Sequence, residues 1–439
     1  MSQDRIRIII AIAVIAAMHA VYTGYQVSHR HFFLGPDSFE YIHAAENLPS
    51  GVLYSGDRAQ PIDTDLYTKR PILYPLILAG VFRIHHSEVA VILLQMLIAI
   101  GTAFLAIRFM RELDIIPSRR GVLILFACLA ATPSHFMYAN FIMTETVLQA
   151  IVLGMTLMVF LFLSRGHMRY LIGYQCLLVA AMLTKPVFYL FVIPSLLYWA
   201  WLSLRIRTAR PLTAAIIPVL AVILVTGWNY SRTGYAQYSS IQTLGLFYYN
   251  TYYFLIKTKG DAYAKTAIAD IETAAAREKS YADRTKLIHR TCGALLRSEA
   301  VGYALFHARG MMTFFLDPGR FDFHNFFGMS SDNTGLLYHF SRGGFRAAAL
   351  YLSRQPPALI VSIIVVMLGN VLKIAGAGVF LFSPRVRLEF RIFAVGIIFY
   401  VAFATGPLGA TRFAVPILPI LFICLAALLS RVTRPGKMA

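Results

Sequence analysis

Two carboxylates stand beside long apolar runs of this sequence, where acidic side chains are uncommon. Asp37 lies in a Pro-Asp-Ser turn soon after the first apolar run, and Glu145 begins a later one. A carboxylate within hydrogen-bond reach of a hydroxyl can accept its proton in a transfer reaction. Each also has a simpler explanation, because Asp37 could cap the following helix and Glu145 could complement a helix dipole. Both are candidate catalytic residues, and their surroundings decide between the two roles.

Cationic side chains mark the ends of several apolar runs. Arg70, Lys185, Arg232 and Arg412 occupy such ends, and Lys69 directly precedes the first of them. Charged donors bind phosphate strongly, whereas short outer loops of membrane proteins usually carry few Lys or Arg. This group therefore predicts an anionic ligand, such as a phosphate or diphosphate, at the outer membrane surface. For Lys69 and Arg70 the alternative is ordinary contact with lipid head groups.

A metal site is only weakly indicated. Asp63-Thr64-Asp65 resembles the Asp-x-Asp of soluble sugar-nucleotide transferases, and two carboxylates so spaced can share a divalent cation. Short motifs of this kind also occur by chance. The four cysteines form neither a disulfide framework nor a zinc pattern, and His85-His86 is adjacent instead of at i,i+4. We expect no required cofactor, with a divalent metal at Asp63 and Asp65 as the lesser possibility.

The elements that position these residues must be membrane helices. Hydrophobic residues make up 58% of the 439-residue chain and charged residues 14%, with a mean hydropathy of +0.63. Soluble domains have about 45–50% apolar and about 25% charged residues. A cytosolic enzyme, a secreted disulfide scaffold and a disordered chain are thereby excluded. The net charge of +19 is explained by basic cytoplasmic loops, so we expect no nucleic-acid partner.

The predicted fold class is an all-α polytopic membrane protein with about ten transmembrane helices. With the N-terminus inside, every short inside loop is basic, as the positive-inside rule requires. The first apolar run continues past signal-peptide length and is interpreted as a retained anchor. The expected spans are 8–25, 89–109, 122–138, 147–164, 170–183, 187–204, 212–228, 358–382, 392–406 and 413–430.

Two long segments, the first outer loop (26–86) and the second outer loop (229–357), fall outside in this topology. Residues 70–86 are apolar but too short to cross, and predict an interfacial or re-entrant helix. In the second long segment we expect surface or interfacial helices and no independent catalytic domain. The chain divides into a first helix (1–25), a first outer loop with interfacial helices (26–86), helices two to seven (87–228), a second large outer loop (229–357), and helices eight to ten with a short cytoplasmic tail (358–439).

Several of these segments, taken in order, resemble membrane-embedded glycosyltransferases with the GT-C fold. The closest resemblance is to the protein mannosyltransferase and lipid A aminoarabinose transferase group, family 39-like. The matching segments are Pro36-Asp37-Ser38 with Tyr41, Arg70-Pro71-x-x-Tyr74-Pro75, Thr144-Glu145, Leu183-Thr184-Lys185-Pro186, Asn229-Tyr230-Ser231-Arg232-Thr233-Gly234, Phe314-Phe315-Leu316-Asp317-Pro318 and the stretch from Arg412-Phe413 to Pro419.

The resemblance implies inverting transfer of a sugar from a polyprenyl-phosphate donor on the outer (periplasmic) face of a bacterial inner membrane. Asp37 matches the acidic residue of the first outer loop and would be the general base. Glu145 matches a second acidic position that helps to place the acceptor or donor sugar. Arg70 matches a cation that binds the donor phosphate, and Arg232 and Arg412 are looser matches near that phosphate.

Four further residues complete the candidate site. Lys69 and Lys185 are assigned to the donor phosphate with the arginines, and Tyr41 and Tyr74 to the sugar or the acceptor. The implied partners are a polyprenyl-phosphate-linked sugar, membrane lipids and a glycan, lipid or protein acceptor.

The sequence departs from the family in two respects. Asp37 is followed by Ser38 where the mannosyltransferase branch usually has an acidic pair, and a large soluble C-terminal domain is not expected after residue 430. A protein acceptor is therefore less strongly implied. Two other functions stay open: a lipid or glycolipid transporter or flippase, and a ligase or polymerase of lipid-linked glycans with a diphosphate donor. A transporter should carry polar groups at mid-membrane depth on several helices, whereas most charges here lie at span ends.

Overall fold

The computed structural model describes residues 3–29, 34–35, 37–115, 117–328, 336–355 and 357–432; Pro36 of the first motif lies outside them. All regular structure in these ranges is helical. In the first half of the chain the α-helices are α1 (Gln3–His29), α2 (Ser38–Asn47), α3 (Leu73–Ile84), α4 (Glu88–Glu112), α5 (Arg119–Ala130), α6 (Pro133–Tyr138), α7 (Glu145–Arg165), α8 (Met168–Thr184), α9 (Val192–Ile206), α10 (Arg210–Ala214) and α11 (Ile216–Thr233).

The second half continues in the same way, with a π-helix at Gly245–Thr251 and short 3-10 helices at Gly406–Leu408 and Thr411–Ile417. Its α-helices are α12 (Ile241–Leu244), α13 (Tyr252–Lys259), α14 (Asp261–Ala276), α15 (Tyr281–Ser298), α16 (Ala300–Leu316), α17 (Arg320–Phe326), α18 (Leu336–Ser353), α19 (Pro357–Leu381), α20 (Leu388–Ala404) and α21 (Leu418–Val432). The predicted all-α polytopic fold class is confirmed.

Helices occupy all ten expected span positions, but they differ in length. Over the described ranges, seven are long and apolar enough to cross a bilayer. The fifth and ninth expected spans correspond to α8 and α20, each of 17 residues. The third, expected as one helix over 122–138, is instead divided into a 12-residue α5 and a 6-residue α6. The remaining expected spans are thus occupied by shorter or divided helices in this part of the chain.

The division between α5 and α6 has a local cause. Pro133 opens α6 and has no N–H to continue the hydrogen-bond pattern of α5. The Thr132 hydroxyl instead donates to the Cys128 carbonyl at 2.7 Å. All six residues of α6 are at least partly buried, and five of them fully, so it is an internal segment that leads the chain towards α7.

Helices α7 and α21 form the centre of the bundle. They are the most buried of the spanning segments, whereas α1, α11 and α19 are largely exposed on their outer sides. Helix α19 packs closely on α21: a Cβ added to Gly376 of α19 would lie only 2.7 Å from the backbone of Leu425 in α21. The rigid central elements therefore present Glu145, at the start of α7, and Arg412, just before α21.

The first outer loop contains the short helix that the sequence predicts. Helix α3 has 12 residues and begins three residues after Arg70, so it is too short to cross a bilayer, and its interfacial position stays a prediction. Its buried side packs on α2 and α4 through residues that include Tyr74 and Leu78. This packing holds Arg70 against the helix that begins after Asp37.

Candidate active site

The carboxylate of Asp37 is not used as a helix cap. Helix α2 begins at Ser38, yet the Asp37 side chain makes no capping hydrogen bond. The Ser38 hydroxyl anchors the turn instead: it accepts from the Gly35 backbone N–H at 2.7 Å and donates to the Ile142 carbonyl at 2.8 Å. The capping explanation was wrong, and the Asp37 carboxylate is available for contacts with other elements.

Those contacts are with two arginines. Arg70 Nη2 lies 2.8 Å from Asp37 Oδ1, and Arg412 forms a short ion pair with Asp37 Oδ2. Arg70 also donates through Nε to Glu40 at 2.7 Å, and Lys69 pairs with the same carboxylate at 2.7 Å. Asp37 therefore lies between a cation from the first outer loop and one from the segment before α21.

Glu145 completes the arrangement from the other side. Its side chain is fully buried, and its Oε1 accepts from Lys185 Nζ at 2.8 Å and from Arg412 Nε at 2.7 Å. Helix-dipole complementarity alone does not explain a carboxylate with two buried ionic partners. We call the whole assembly the ion cluster; its members are Asp37, Glu40, Lys69, Arg70, Glu145, Lys185 and Arg412.

The electrostatics of the ion cluster keep Asp37 ionised. Burial alone would raise the pKa of its carboxyl, but the neighbouring charges of Arg412 and Arg70 outweigh this and hold the pKa well below its usual range. About a quarter of the Asp37 side chain is exposed, against 5% of Arg70 and none of Glu145. Asp37 is thus an accessible carboxylate within an otherwise enclosed network.

Tyr41 contacts Arg70 of the ion cluster, and Tyr74 packs against Tyr41. The Arg70 guanidinium lies 4.8 Å from the centre of the Tyr41 ring, and its Nη1 donates to the Tyr41 hydroxyl at 3.3 Å. Tyr74 packs edge-on against Tyr41 and donates to Gln95 at 2.6 Å. Both tyrosines are fully buried. They fix the orientation of Arg70, and their contact with a sugar or an acceptor stays a prediction.

Arg232 lies apart from the ion cluster. Its guanidinium stacks 3.8 Å from the Trp228 ring centre and donates to the Leu53 carbonyl at 3.1 Å. Its Nε is buried without a hydrogen-bond partner. Arg232 and Arg70 nevertheless line one cavity of about 310 Å³. Arg232 is thus connected to Arg70 through this cavity and makes no direct ion pair with the cluster, and its role at the donor phosphate stays a prediction.

The apolar wall of this cavity comes from α8, α11 and the turn before α3. Most of its lining residues are apolar, and Arg70 and Arg232 are the two arginines among them. The apolar wall residues are Leu53, Pro71, Ile72, Leu183, Leu224, Val225 and Trp228. The cavity is therefore amphipathic and opens beside the ion cluster.

The Asp-x-Asp pair is committed to protein contacts. Asp63 caps a 3-10 helix by accepting from the Asp65 N–H at 3.0 Å. Asp65 accepts from the Tyr281 hydroxyl at 2.7 Å and pairs with Arg284 at 3.2 Å, which joins the two outer loops. No cluster of three metal-ligating side chains occurs among the described residues. The metal-independence of the site stays a prediction.

Two members of the site were missed by sequence reasoning. Glu40 was not among the predicted site residues, although its position three residues after Asp37 places the two carboxylates close together at the start of α2. Asp322 accepts from the Tyr138 hydroxyl at 2.5 Å, and burial raises the pKa of this carboxyl to about 7. Asp322 lies in the second long segment, where helices were expected but no local pattern indicated a contact with Tyr138, so only the Glu40 spacing offered a usable signal.

Comparison with known proteins supports the family resemblance for part of the chain. Residues 69–228 match the model of the dolichyl-phosphate-mannose-protein mannosyltransferase family. No curated protein matches the sequence.

Among solved structures, the chain is similar to ArnT from Cupriavidus metallidurans bound to undecaprenyl phosphate, with 16% identity and a TM-score of 0.36 over 97% of this chain and 78% of that one. The apo state of the same protein gives 16% identity and a TM-score of 0.34 over the same shares. Over residues 69–228, therefore, this polytopic membrane protein is similar to the mannosyltransferase family that its motifs resemble.

Proposed function

We propose that this protein is an integral membrane glycosyltransferase that moves a sugar from a polyprenyl-phosphate donor to an acceptor, with inversion at the sugar carbon. The observation that carries this proposal is the position of Asp37: an accessible carboxylate between Arg412 and Arg70, of which Arg70 also lines an amphipathic cavity. The match of residues 69–228 to a family of polyprenyl-type sugar transferases supports the same conclusion.

The cavity suits the donor chemically. A lipid-linked sugar phosphate joins an apolar chain to one anionic phosphodiester. The cavity offers apolar walls and the guanidinium groups of Arg70 and Arg232, whose buried Nε lacks a partner. A phosphate in the cavity would pair with these two guanidinium groups through charge-assisted hydrogen bonds. This is the strongest reason to retain Arg232 as a donor-phosphate residue.

In the proposed reaction the negative and the positive groups of the ion cluster have separate roles. The Asp37 carboxylate accepts the proton of the acceptor hydroxyl while that oxygen bonds to the anomeric carbon. The bond from this carbon to the phosphate oxygen breaks on the opposite face, which inverts the configuration. The departing lipid phosphate keeps the electron pair and is neutralised by Arg70, Arg412 and Lys185.

Resting Asp37 is a weak base because both arginines are paired with it. When the donor phosphate enters, it competes for the same guanidinium groups. As Arg70 and Arg412 turn towards the phosphate, the pKa of Asp37 rises and its proton affinity increases. Donor binding thereby prepares the base, and Glu145 retains Arg412 and Lys185 at hydrogen-bond distance during this exchange.

We place this chemistry on the periplasmic face of a bacterial inner membrane, with a glycan, lipid or protein of the envelope as acceptor. The ionisable groups of the cluster lie near the starts of α2, α3 and α7, the end of α8 and the segment before α21, on the side that the charge pattern assigns to the outside. A transporter would need such groups along a path across the bundle. Lys373, buried in α19, donates to Thr132 at 2.9 Å and does not extend the cluster.

The decisive experiment uses the purified protein in lipid vesicles with labelled polyprenyl-phosphate sugars and an extract of envelope acceptors. We expect label to appear on an acceptor with release of free polyprenyl phosphate. Movement of intact donor across the vesicle without transfer would instead establish the transporter function. A parallel set of polyprenyl-diphosphate donors tests the ligase or polymerase function, for which transfer from the diphosphate alone would be required.

A further inference from the structure

The segment that carries Arg412 is held by the second outer loop. It consists of the 3-10 helix Gly406–Leu408, a short connection and the 3-10 helix Thr411–Ile417. Helix α16 runs directly against this segment: a Cβ on Gly310 would lie 2.5 Å from a carbonyl oxygen of the first 3-10 helix, and one on Gly409 would lie 2.2 Å from the Gly310 carbonyl oxygen. The two backbones are therefore in contact, and the position of Arg412 depends on α16.

A carboxylate at the end of α16 adds a specific contact. Asp317 Oδ2 accepts from the backbone N–H of Thr411 at 2.8 Å, and its Oδ1 accepts from the Gly319 N–H at 3.1 Å. The residue before the Thr411 helix is Ala410, which has no side chain able to cap it. Asp317 thus supplies the cap from a distant part of the sequence. Ser, Thr, Asp or Asn usually does this from the preceding position.

The turn after Asp317 is shaped to reach this cap. Gly319 adopts a φ of +73°, and a Cβ there would lie 2.8 Å from the Thr411 side chain. The Asp317 carbonyl also accepts from Asn370 of α19 at 3.2 Å. The carboxylate is therefore held by the glycine turn, the backbone of Asp317 is held by α19, and the capped residue immediately precedes Arg412.

We propose that Asp317 is a positioning residue for Arg412. By fixing the first turn of the Thr411–Ile417 helix, it sets the guanidinium between Asp37 and Glu145. Arg412 is the one member of the ion cluster that pairs with both of these carboxylates, so a displacement of its backbone disturbs the base and the buried glutamate together. This role rests on the glycosyltransfer function proposed above and adds to it a residue from the second outer loop.

The first test compares transfer rates. Asp317→Ala removes both acceptors, whereas Asp317→Asn keeps one oxygen. A misplacement of about 1 Å at a reacting group can cost about a hundredfold in rate, and we expect a loss of that size in kcat for the alanine variant, with partial recovery in the asparagine variant. The matched control is Asp57→Ala, which removes an exposed carboxylate that accepts the Ala59 N–H at 2.8 Å. Equal rates for Asp317→Ala and the control would overturn the proposal.

The second test separates positioning from general stability. In an Arg412→Ala background, Asp317→Ala should add less than about twofold, because residues that act through one another are not additive. Independent, multiplicative losses in the double variant would show that Asp317 acts elsewhere and would overturn the proposal. Donor affinity should fall less in Asp317→Ala than in Arg70→Ala, since the cavity contact of Arg70 is retained.

The third test needs no turnover. Hydrogen exchange followed by mass spectrometry reports the Thr411 amide in a peptide over residues 408–413. We expect faster exchange there in Asp317→Ala and unchanged exchange in Asp57→Ala. Unchanged protection of Thr411 in Asp317→Ala refutes the positioning role. An absence of sugar transfer by the unmodified protein, with the exchange difference intact, refutes the proposed function alone.

Discussion

Replacing Asp37 by Asn tests the proposed base most directly, because the structure supplies a matched partner for the experiment. Glu40 lies one turn further along α2, and its side chain has the same 24% exposure as that of Asp37. Both carboxylates pair with Arg70, at 2.8 and 2.7 Å. Asp37→Asn and Glu40→Gln therefore remove one negative charge from nearly the same place, and their common effect on Arg70 cancels in the comparison.

The fold should survive Asp37→Asn, since neither arginine loses its last carboxylate. Arg70 keeps Glu40, and Arg412 keeps Glu145. Two charge-assisted contacts are lost, but the Asn oxygen can replace one of them. Each such hydrogen bond contributes about 1.5–3 kcal/mol, so we expect a destabilisation of about 2 kcal/mol, measured as a modest fall in the thermal unfolding temperature.

Catalysis should fall much further in Asp37→Asn than in Glu40→Gln. Loss of a general base costs about a hundredfold to ten-thousandfold, which corresponds to about 3–5 kcal/mol of activation free energy. Glu40→Gln should stay within about tenfold of the unmodified protein, because it changes only the neighbouring charge. The assay is the initial rate of label transfer at saturating donor. Similar losses in both variants would mean that Asp37 is a counter-ion and that the proton is accepted elsewhere.

Three further predictions follow from the contacts of the site. Arg70→Ala should weaken donor binding at least tenfold, measured by titration of the folded variant with a labelled donor, and should lower the unfolding temperature more than Asp37→Asn does, because Asp37 and Glu40 both lose this partner; equal donor affinity contradicts the phosphate role. The acid limb of kcat, which reports the donor complex, should lie at higher pH than the acid limb of kcat/KM, which reports the free enzyme. The reason is that the pKa of Asp37 is held low in the free enzyme and rises once phosphate competes for its arginines. Coincident acid limbs in the two pH–rate profiles contradict this prediction. For Asp322, burial raises the pKa of the carboxyl in the folded protein to about 7, whereas the unfolded carboxyl titrates near 3.8. The free energy of unfolding should therefore fall as pH rises between these values, by up to about 1.4 kcal/mol per pH unit. Asp322→Asn should remove this pH dependence from the thermal stability, and an unchanged dependence in the variant contradicts the buried, protonated Asp322.

The sequence predicts where the chain is apolar and which charges are out of place in such a chain. Helix positions follow from runs of apolar side chains, so the predicted locations hold even where lengths differ. The grouping of Asp37, Arg70, Lys185 and Arg412 was also predictable, because cations and carboxylates at one face of a membrane protein lower their burial cost by pairing.

The partners of these charges were not predictable, since packing decides them. Glu145 meets Arg412 only because α7 and the segment before α21 are adjacent at the centre of the bundle. Arg232, like Arg412, lies at the end of an apolar run, yet it stacks on Trp228 and lies outside the ion cluster. The capping of Thr411 by Asp317 joins residues 94 positions apart, and no local pattern encodes such a contact. The division of α5 from α6 has a visible sign in Pro133, but the apolar sequence around it conceals the break.

The net charge of the ion cluster bears on which step would limit the rate of repeated turnovers. Four cations face three carboxylates, which leaves a single surplus positive charge. A sugar phosphodiester brings one negative charge and neutralises that surplus, whereas the lipid monophosphate left behind carries about −1.5 to −2 at pH 7. The spent carrier should thus be held more tightly than the fresh one. Its escape into the bilayer, and not the making of the glycosidic bond, would then set the pace of repeated cycles.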